Sequence, residues 1–167
     1  MNITGRVWKY GDNINTDVIF PGRYTYTLMS EEEMGNYALK DYDPIFNQEC
    51  RPGDIIVAGK NWGCGSAREQ AVKCLKARGV SAIIAKGFSR IYYRNCINEG
   101  LFAVVCPEAV DNIKNGEKIE IDFADCLIKA PEGVFTFTPY PDFVRGIVES
   151  GGLLPYTIKL LREQGAL

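Results

Sequence analysis

Gly59-Lys-Asn-Trp-Gly-Cys-Gly-Ser-Ala-Arg-Glu-Gln-Ala-Val-Lys-Cys-Leu-Lys-Ala-Arg-Gly79 is the stretch whose reading decides the fold. Immediately before it, Asp54 to Ala58 (Asp-Ile-Ile-Val-Ala) is a short β-branched run introduced by Pro52-Gly53, the pattern of a buried strand. Behind the glycines, Ala67, Ala71, Cys74, Leu75 and Arg78 recur at helical spacing. Ser66-Ala-Arg-Glu69 matches a capping box, which predicts Ser66 as the N-cap and Gly79 as the stop. Strand, glycine loop and helix in that order leave backbone N–H groups unpaired at the positive end of a helix, where an anion is stabilised. Arg68 then falls in the first helical turn, a position where the helix dipole disfavours a cation unless an anion sits beside it. Two readings stand at this point. Arg68 and the Ser66 hydroxyl bind a carboxylate or phosphate, or Ser66 merely caps the helix while Glu69 neutralises Arg68.

Working outward, the next segment echoes the first. Ser81 to Ala85 is strand-like, Lys86-Gly87-Phe88 is a turn, and Ser89 caps a helix that begins Arg90-Ile-Tyr-Tyr and ends at Gly100. Parallel pairing of the two strands places both helix starts on one sheet edge, where Arg90 is positioned either to join Arg68 or to remain a surface arginine. Leu101 to Cys106 is a third buried strand, closed by Pro107. The remaining chain changes character: Lys118 to Phe123 and Val134 to Thr138 alternate as a small antiparallel section. Two helices follow, opening at Pro141-Asp142 and running from about Leu154 to Gln164.

Before the central stretch, Ile3 to Tyr10 is an opening strand that runs into Gly11-Asp-Asn-Ile-Asn-Thr-Asp17. Asx-turn chemistry accounts for the polar residues there. Ser30-Glu-Glu-Glu33 starts a short helix expected to end near Lys40, and 41–53, with Pro44 and Pro52, reads as a loop.

Composition excludes several classes. The chain has 167 residues with 46% hydrophobic content, enough for one core and short for two, so a single domain over 1–167 is expected. The net charge of −2 with scattered Lys and Arg argues against nucleic acid as a partner, and no apolar run suits a membrane. With no basic, apolar leader at Met1 to Tyr10, a cytoplasmic location is expected. The six cysteines at 50, 64, 74, 96, 106 and 126 form no CxxC pair, so this chain is expected to bind no metal. The sequence contains no histidine, which removes the usual general base and the Ser–His and Cys–His arrangements.

Gly11-Asp-Asn-Ile-Asn-Thr-Asp17 with Pro21-Gly-Arg23, Asn61-Trp-Gly-Cys-Gly-Ser-Ala-Arg-Glu69, Phe88-Ser-Arg-Ile-Tyr-Tyr-Arg-Asn95 and Ser150-Gly-Gly-Leu153, in that order, resemble the 3-isopropylmalate dehydratase small-subunit family of the aconitase superfamily. The resemblance implies an α/β fold, the swivelling β/β/α domain with a parallel-containing sheet, helices and a small antiparallel section. It implies no cofactor on this chain, a [4Fe–4S] cluster in a separate large subunit, and a small dicarboxylic hydroxy acid as substrate. Ser66 then corresponds to the catalytic base and Arg68 to the carboxylate-binding arginine, with Gly65, Ala67, Arg90, Thr16 and Asp17 as further substrate contacts. Relatives often carry a second serine where this chain has Ala67, so that contact falls to a backbone N–H.

The loop with Tyr24, Thr25, Tyr26 and Thr27 resembles the family's specificity element. It holds no cation, so it suits an isopropyl group better than the extra carboxylate of a homoaconitase substrate. Homoaconitase, citrate-type or dimethylmalate dehydratase subunits, and a non-catalytic anion-binding module, are the competing readings.

Overall fold

The computed structural model describes residues 1–166. In chain order they form β1 (Asn2–Lys9), α1 (Thr16–Ile19), α2 (Glu31–Met34), α3 (Pro44–Glu49), β2 (Ile55–Ala58), α4 (Gln70–Arg78), β3 (Ala82–Ala85), α5 (Arg90–Glu99) and β4 (Phe102–Val105). The second half adds α6 (Pro107–Asn112), β5 (Lys118–Asp122), β6 (Leu127–Ala130), β7 (Gly133–Thr136), α7 (Asp142–Glu149) and α8 (Leu153–Glu163). One seven-stranded sheet runs β4-β3-β2-β1-β5-β6-β7. Its first four strands are parallel and the rest antiparallel, with β1 as the seam. The expected mixed α/β architecture is therefore present.

The parallel half explains itself from composition. Every residue of β2 and β3 is fully buried, and such strands need cover on both faces. Because side chains alternate, Ile56, Ala58, Ile83 and Ala85 enter one core with Trp8, Trp62, Cys74 and Leu75. Their neighbours Ile55, Val57, Ala82 and Ile84 enter a second core with Ile97, Val110, Ile121 and Phe137. No described helix is long and apolar enough to cross a membrane.

Several elements depart from the sequence reading. Residues 44–49 are helix rather than loop: Asp43 Oδ1 accepts from Phe46 N at 3.1 Å and Pro44 occupies the first turn, so the proline starts a helix instead of breaking one. The helix buries Phe46 edge-on against Trp8, with ring centroids 5.1 Å apart. Pro107 likewise both closes β4 and opens α6, which the sequence reading did not include. β6 escaped notice because only Ile128 of its four residues is buried, which leaves no alternation to read. The predicted helix from Ser30 is shorter than expected, α2 passing into a 3-10 turn at Gly35–Tyr37. Its start is as read, with both bonds of a Ser30/Glu33 capping box formed.

The exposed edge of the parallel half is closed by a side chain. The segment after β7 returns to β4, where the Tyr140 hydroxyl donates to Ala103 O (2.6 Å) and accepts from Ala103 N (2.8 Å). Burial raises the phenol pKa above its ordinary value, so the proton needed for the first bond is retained. Tyr140→Phe leaves both backbone groups of the fully buried Ala103 unpaired while keeping the ring. Chemical denaturation should show a loss of roughly 1–3 kcal/mol; an unchanged midpoint would mean that water replaces the hydroxyl at no cost.

Candidate active site

The site grows from two chain segments laid side by side beyond the carboxyl ends of β1 and β2. Tyr10 N bonds to Val57 O, Asn13 N to Lys60 O, Gly63 N to Ile14 O and Thr16 N to Cys64 O, each at 2.8–2.9 Å. Side chains tighten the seam: Asp12 Oδ1 accepts from Lys60 N (2.7 Å) and Asn13 Oδ1 from Asn61 Nδ2 (3.0 Å). Only Asn15 behaves as a local turn residue, its Oδ1 accepting from Val18 N. The third loop joins through Trp62 N to Gly87 O (3.0 Å), Ser89 N to Trp62 O (2.9 Å) and Ser89 Oγ to Gly63 O (2.7 Å). Three loops thus form one ridge along the sheet edge, as parallel order requires.

The underside of this ridge is rigid. Trp62 is fully buried and stacks on Tyr10 at 5.9 Å. Tyr92 lies directly beneath Gly63, where a Cβ would sit 2.0 Å from the ring, and Gly63 has φ +72°. Only glycine fits both constraints. The Tyr92 hydroxyl donates to Ala71 O (3.0 Å), tying α5 to the start of α4.

Ser66 does not cap a helix. α4 begins at Gln70, three residues later than the Ser-x-x-Glu signature suggests, and its N-cap Glu69 makes no side-chain bond to the helix end. The physical reason is long-range. The bond from Thr16 N to Cys64 O holds the loop extended, and Arg68 is drawn out of the helix to Asp17, Nη1 to Oδ1 at 2.6 Å. Arg68 therefore precedes the helix rather than sitting in its first turn, and Asp17, not Glu69, is its counter-ion; Glu69 faces Lys73 at 3.6 Å.

Two consequences matter chemically. Gly65, Ser66 and Ala67 are exposed. Among the described residues, none of the N–H groups from Gly65 to Arg68 meets a backbone carbonyl. The Ser66 hydroxyl, which capping would have engaged, has no hydrogen-bond partner among the described residues.

The Arg68–Asp17 pair lies against Gly22, where a Cβ would fall 2.7 Å from Asp17 Oδ1 and 3.2 Å from Arg68 Nη1. Gly22 lies in the Pro21-Gly-Arg23 stretch quoted above, but no local feature assigns it a role of its own. Beside them Thr16 is 1% exposed, yet its Oγ1 has no partner, and a Cβ on Gly65 would be 3.5 Å from it. An orphan buried hydroxyl costs roughly 1–3 kcal/mol, which makes it a mark of a site more than of packing.

The segment after Arg23 divides. Arg23 is committed to Asp41 at 2.5 Å, and Tyr24 packs against Tyr37 with centroids 4.3 Å apart. Thr25 Oγ1 is buried without a partner, Thr27 is exposed, and Tyr26 and Leu28 stand almost wholly in solvent. Arg90 lines a different concavity of about 290 Å³ with Phe88, Tyr93, Arg94 and Val105; neither Ser66 nor Arg68 is among its walls. The cysteines are dispersed and free, with Cys64 half-buried in the ridge and burial pushing the Cys50 thiol up to about 12. Among the described residues no group of three or more His, Cys, Asp or Glu side chains is arranged to hold a metal.

A serine and an arginine on a glycine ridge at the edge of this mixed sheet define an aconitase C-terminal-type domain, and the sequence pattern of the family described as "Aconitase C-terminal domain" matches residues 12–109. The 3-isopropylmalate dehydratase small subunit of Clostridium botulinum (strain Eklund 17B / Type B) is 45% identical over 158 residues, 93% of this chain and 98% of its own. The protein of the same name from Halothermothrix orenii is 46% identical over 156 residues, covering 92% and 94%. A crystal structure of 3-isopropylmalate dehydratase from Methanocaldococcus jannaschii superposes with a TM-score of 0.93 at 38% identity, over 99% of this chain and 98% of that one. The chain belongs to the 3-isopropylmalate dehydratase small-subunit family.

Proposed function

We propose that the chain, acting as one swivelling domain, is the small subunit of a cytoplasmic hydro-lyase that interconverts 2-isopropylmalate and 3-isopropylmalate by dehydration and rehydration in leucine biosynthesis. The observation that carries the reading is an exposed Ser66 that caps no helix, two residues before Arg68, whose guanidinium is held in place by Asp17. In the forward direction Ser66, as alkoxide, removes the proton from the carbon next to a carboxylate and returns one in the hydration step. The unpaired amides of Gly65 and Ala67 together with Arg68 stabilise that alkoxide and hold the substrate carboxylate. Asp17 occupies one guanidinium nitrogen and leaves the other donors for substrate, while the buried Thr16 hydroxyl lies behind Gly65 and is closed to it.

The large subunit carries the [4Fe–4S] cluster, which supplies Lewis acidity for the departing hydroxyl when the two chains meet. At the variable end of the substrate, the loop of Tyr24, Thr25, Tyr26 and Thr27 carries no cation, and exposed Leu28 adds apolar surface. A branched alkyl group is accommodated there at less cost than a carboxylate.

The test is anaerobic purification of the tagged chain from its own host, with assay of the eluate for iron and for an unsaturated diacid formed from 3-isopropylmalate. A larger iron-containing chain and that activity should come together. Turnover of a homoaconitate, citrate-type or dimethylmalate substrate in preference would overturn the loop assignment. Elution of the chain alone, binding anions without turnover, would overturn the enzyme reading.

A further inference from the structure

The cavity beside the ridge is built unlike the catalytic loop. Arg90 and Arg94 lie one turn apart on α5, both exposed, and among the described residues neither has a carboxylate within ion-pair distance. Arg6, Arg23, Arg68 and Arg145 each have one, and Arg51, Arg78 and Arg162 do not; what sets Arg90 and Arg94 apart is that the two line one concavity. Like charges at i,i+4 weaken a helix unless an anion is supplied from outside. Between them the floor is apolar: Phe88 and Tyr93 pack with centroids 5.7 Å apart and Val105 is 46% exposed. A second concavity of about 280 Å³ shares Tyr93 and Val105 and continues this floor towards Phe137 and Pro141. The cavity wall is also continuous with the catalytic ridge, since Phe88 pairs with Trp62 and Ser89 holds the Gly63 carbonyl.

We infer that the Arg90–Arg94 cavity is a docking pocket for the large subunit, receiving an acidic side chain carried on an otherwise apolar segment of that chain. This rests on the small-subunit reading above. Two cations without a counter-ion fix the charge of the occupant, and the exposed apolar floor fixes the character of its flanks. Contiguity with the Ser66 ridge explains the placement: a partner anchored here lies across the edge where the site needs completing. The arrangement also gives Arg90 a role other than the substrate contact that the family resemblance implies.

The experiment uses Arg94→Glu, because Arg94 has no side-chain hydrogen bond or ion pair among the described residues and is outside the catalytic group. Both forms of the small subunit are titrated with anaerobically purified large subunit, reading Kd by biolayer interferometry and kcat at saturation. An unchanged circular dichroism melt establishes that the variant is folded. The expected result is a Kd raised at least about tenfold, with kcat restored at saturating large subunit and Arg94→Lys intermediate. Equal Kd for wild type and Arg94→Glu overturns the inference and leaves the cavity to a small anion. Equal Kd with lowered kcat overturns it in favour of a part in turnover. Failure of the wild-type chain to bind any large subunit overturns the small-subunit reading itself, which separates the two failures.

Discussion

Ser66→Ala in the reconstituted pair lowers kcat by roughly 10²–10⁴-fold, the range for loss of a positioned general base, while the complex still assembles and Kd for the large subunit is unchanged. The expectation follows from the local geometry. Ser66 caps nothing and is exposed, so its hydroxyl contributes nothing to the helix, and its removal leaves no buried group unpaired. An ordinary N-cap serine would have cost stability on replacement; this one should cost activity alone. Steady-state turnover of 3-isopropylmalate with a thermal melt of the small subunit separates the two. Retained turnover would remove the base assignment, and a lowered melting temperature with normal turnover would mean that the serine is structural after all.

Arg68→Lys is the second large effect, and its expected signature differs. A guanidinium presents a planar set of donors, so Arg68 can hold Asp17 through Nη1 and still offer parallel N–H bonds to a carboxylate. An ammonium at that place satisfies Asp17 or the substrate as a point charge and does not reproduce the fork. Loss of a charge-assisted hydrogen bond is worth roughly 1.5–3 kcal/mol, so kcat/KM should fall roughly 10- to 150-fold, with KM rising because the carboxylate is held in ground and transition states alike. Kinetics across a range of substrate concentrations check this. An unaltered KM would place the carboxylate contact elsewhere on the ridge.

The two outcomes together test how the chain manages chemistry without histidine. The proposed base is a hydroxyl whose ordinary pKa lies far above neutrality, so an alkoxide there exists only as far as surrounding positive potential stabilises it. Arg68 and the four amides from Gly65 to Arg68 are the sources of that potential in this chain. Asp17 opposes part of it, at the benefit of holding the guanidinium still. Gly22 makes that arrangement possible by leaving the space a Cβ would take.

Much of this was legible before any coordinates. The buried runs Ile55–Ala58 and Ala82–Ala85, the cap at Ser89, the terminations of α4 and α5 at Gly79 and Gly100, and the antiparallel β5 all follow from short-range patterns of period and capping. So does the suspicion that Arg68 needs an anion. What misled were signals that are locally sufficient but globally outcompeted. Ser30-Glu-Glu-Glu33 and Ser66-Ala-Arg-Glu69 carry the same Ser-x-x-Glu signature, yet only the first forms its capping box. Pro44 and Pro107 were read as interruptions, although proline starts a helix as readily as it ends a strand.

By itself, then, the sequence determined the alternation of strand and helix, the change to an antiparallel section after Pro107, and the clustering of glycine, serine and arginine at one sheet edge. These depend on backbone preference and burial period, which operate over a few residues. Tertiary structure decided that Arg68 leaves the helix for Asp17, 51 residues away in sequence, and that Ser66 is free. It also decided that Thr16 is buried without a partner and that Arg90 sits with Arg94 rather than with Arg68. Each of these is settled by competition between a local bond and a distant one, and the distant partner is in reach only once β1 and β2 lie side by side and bring their loops together.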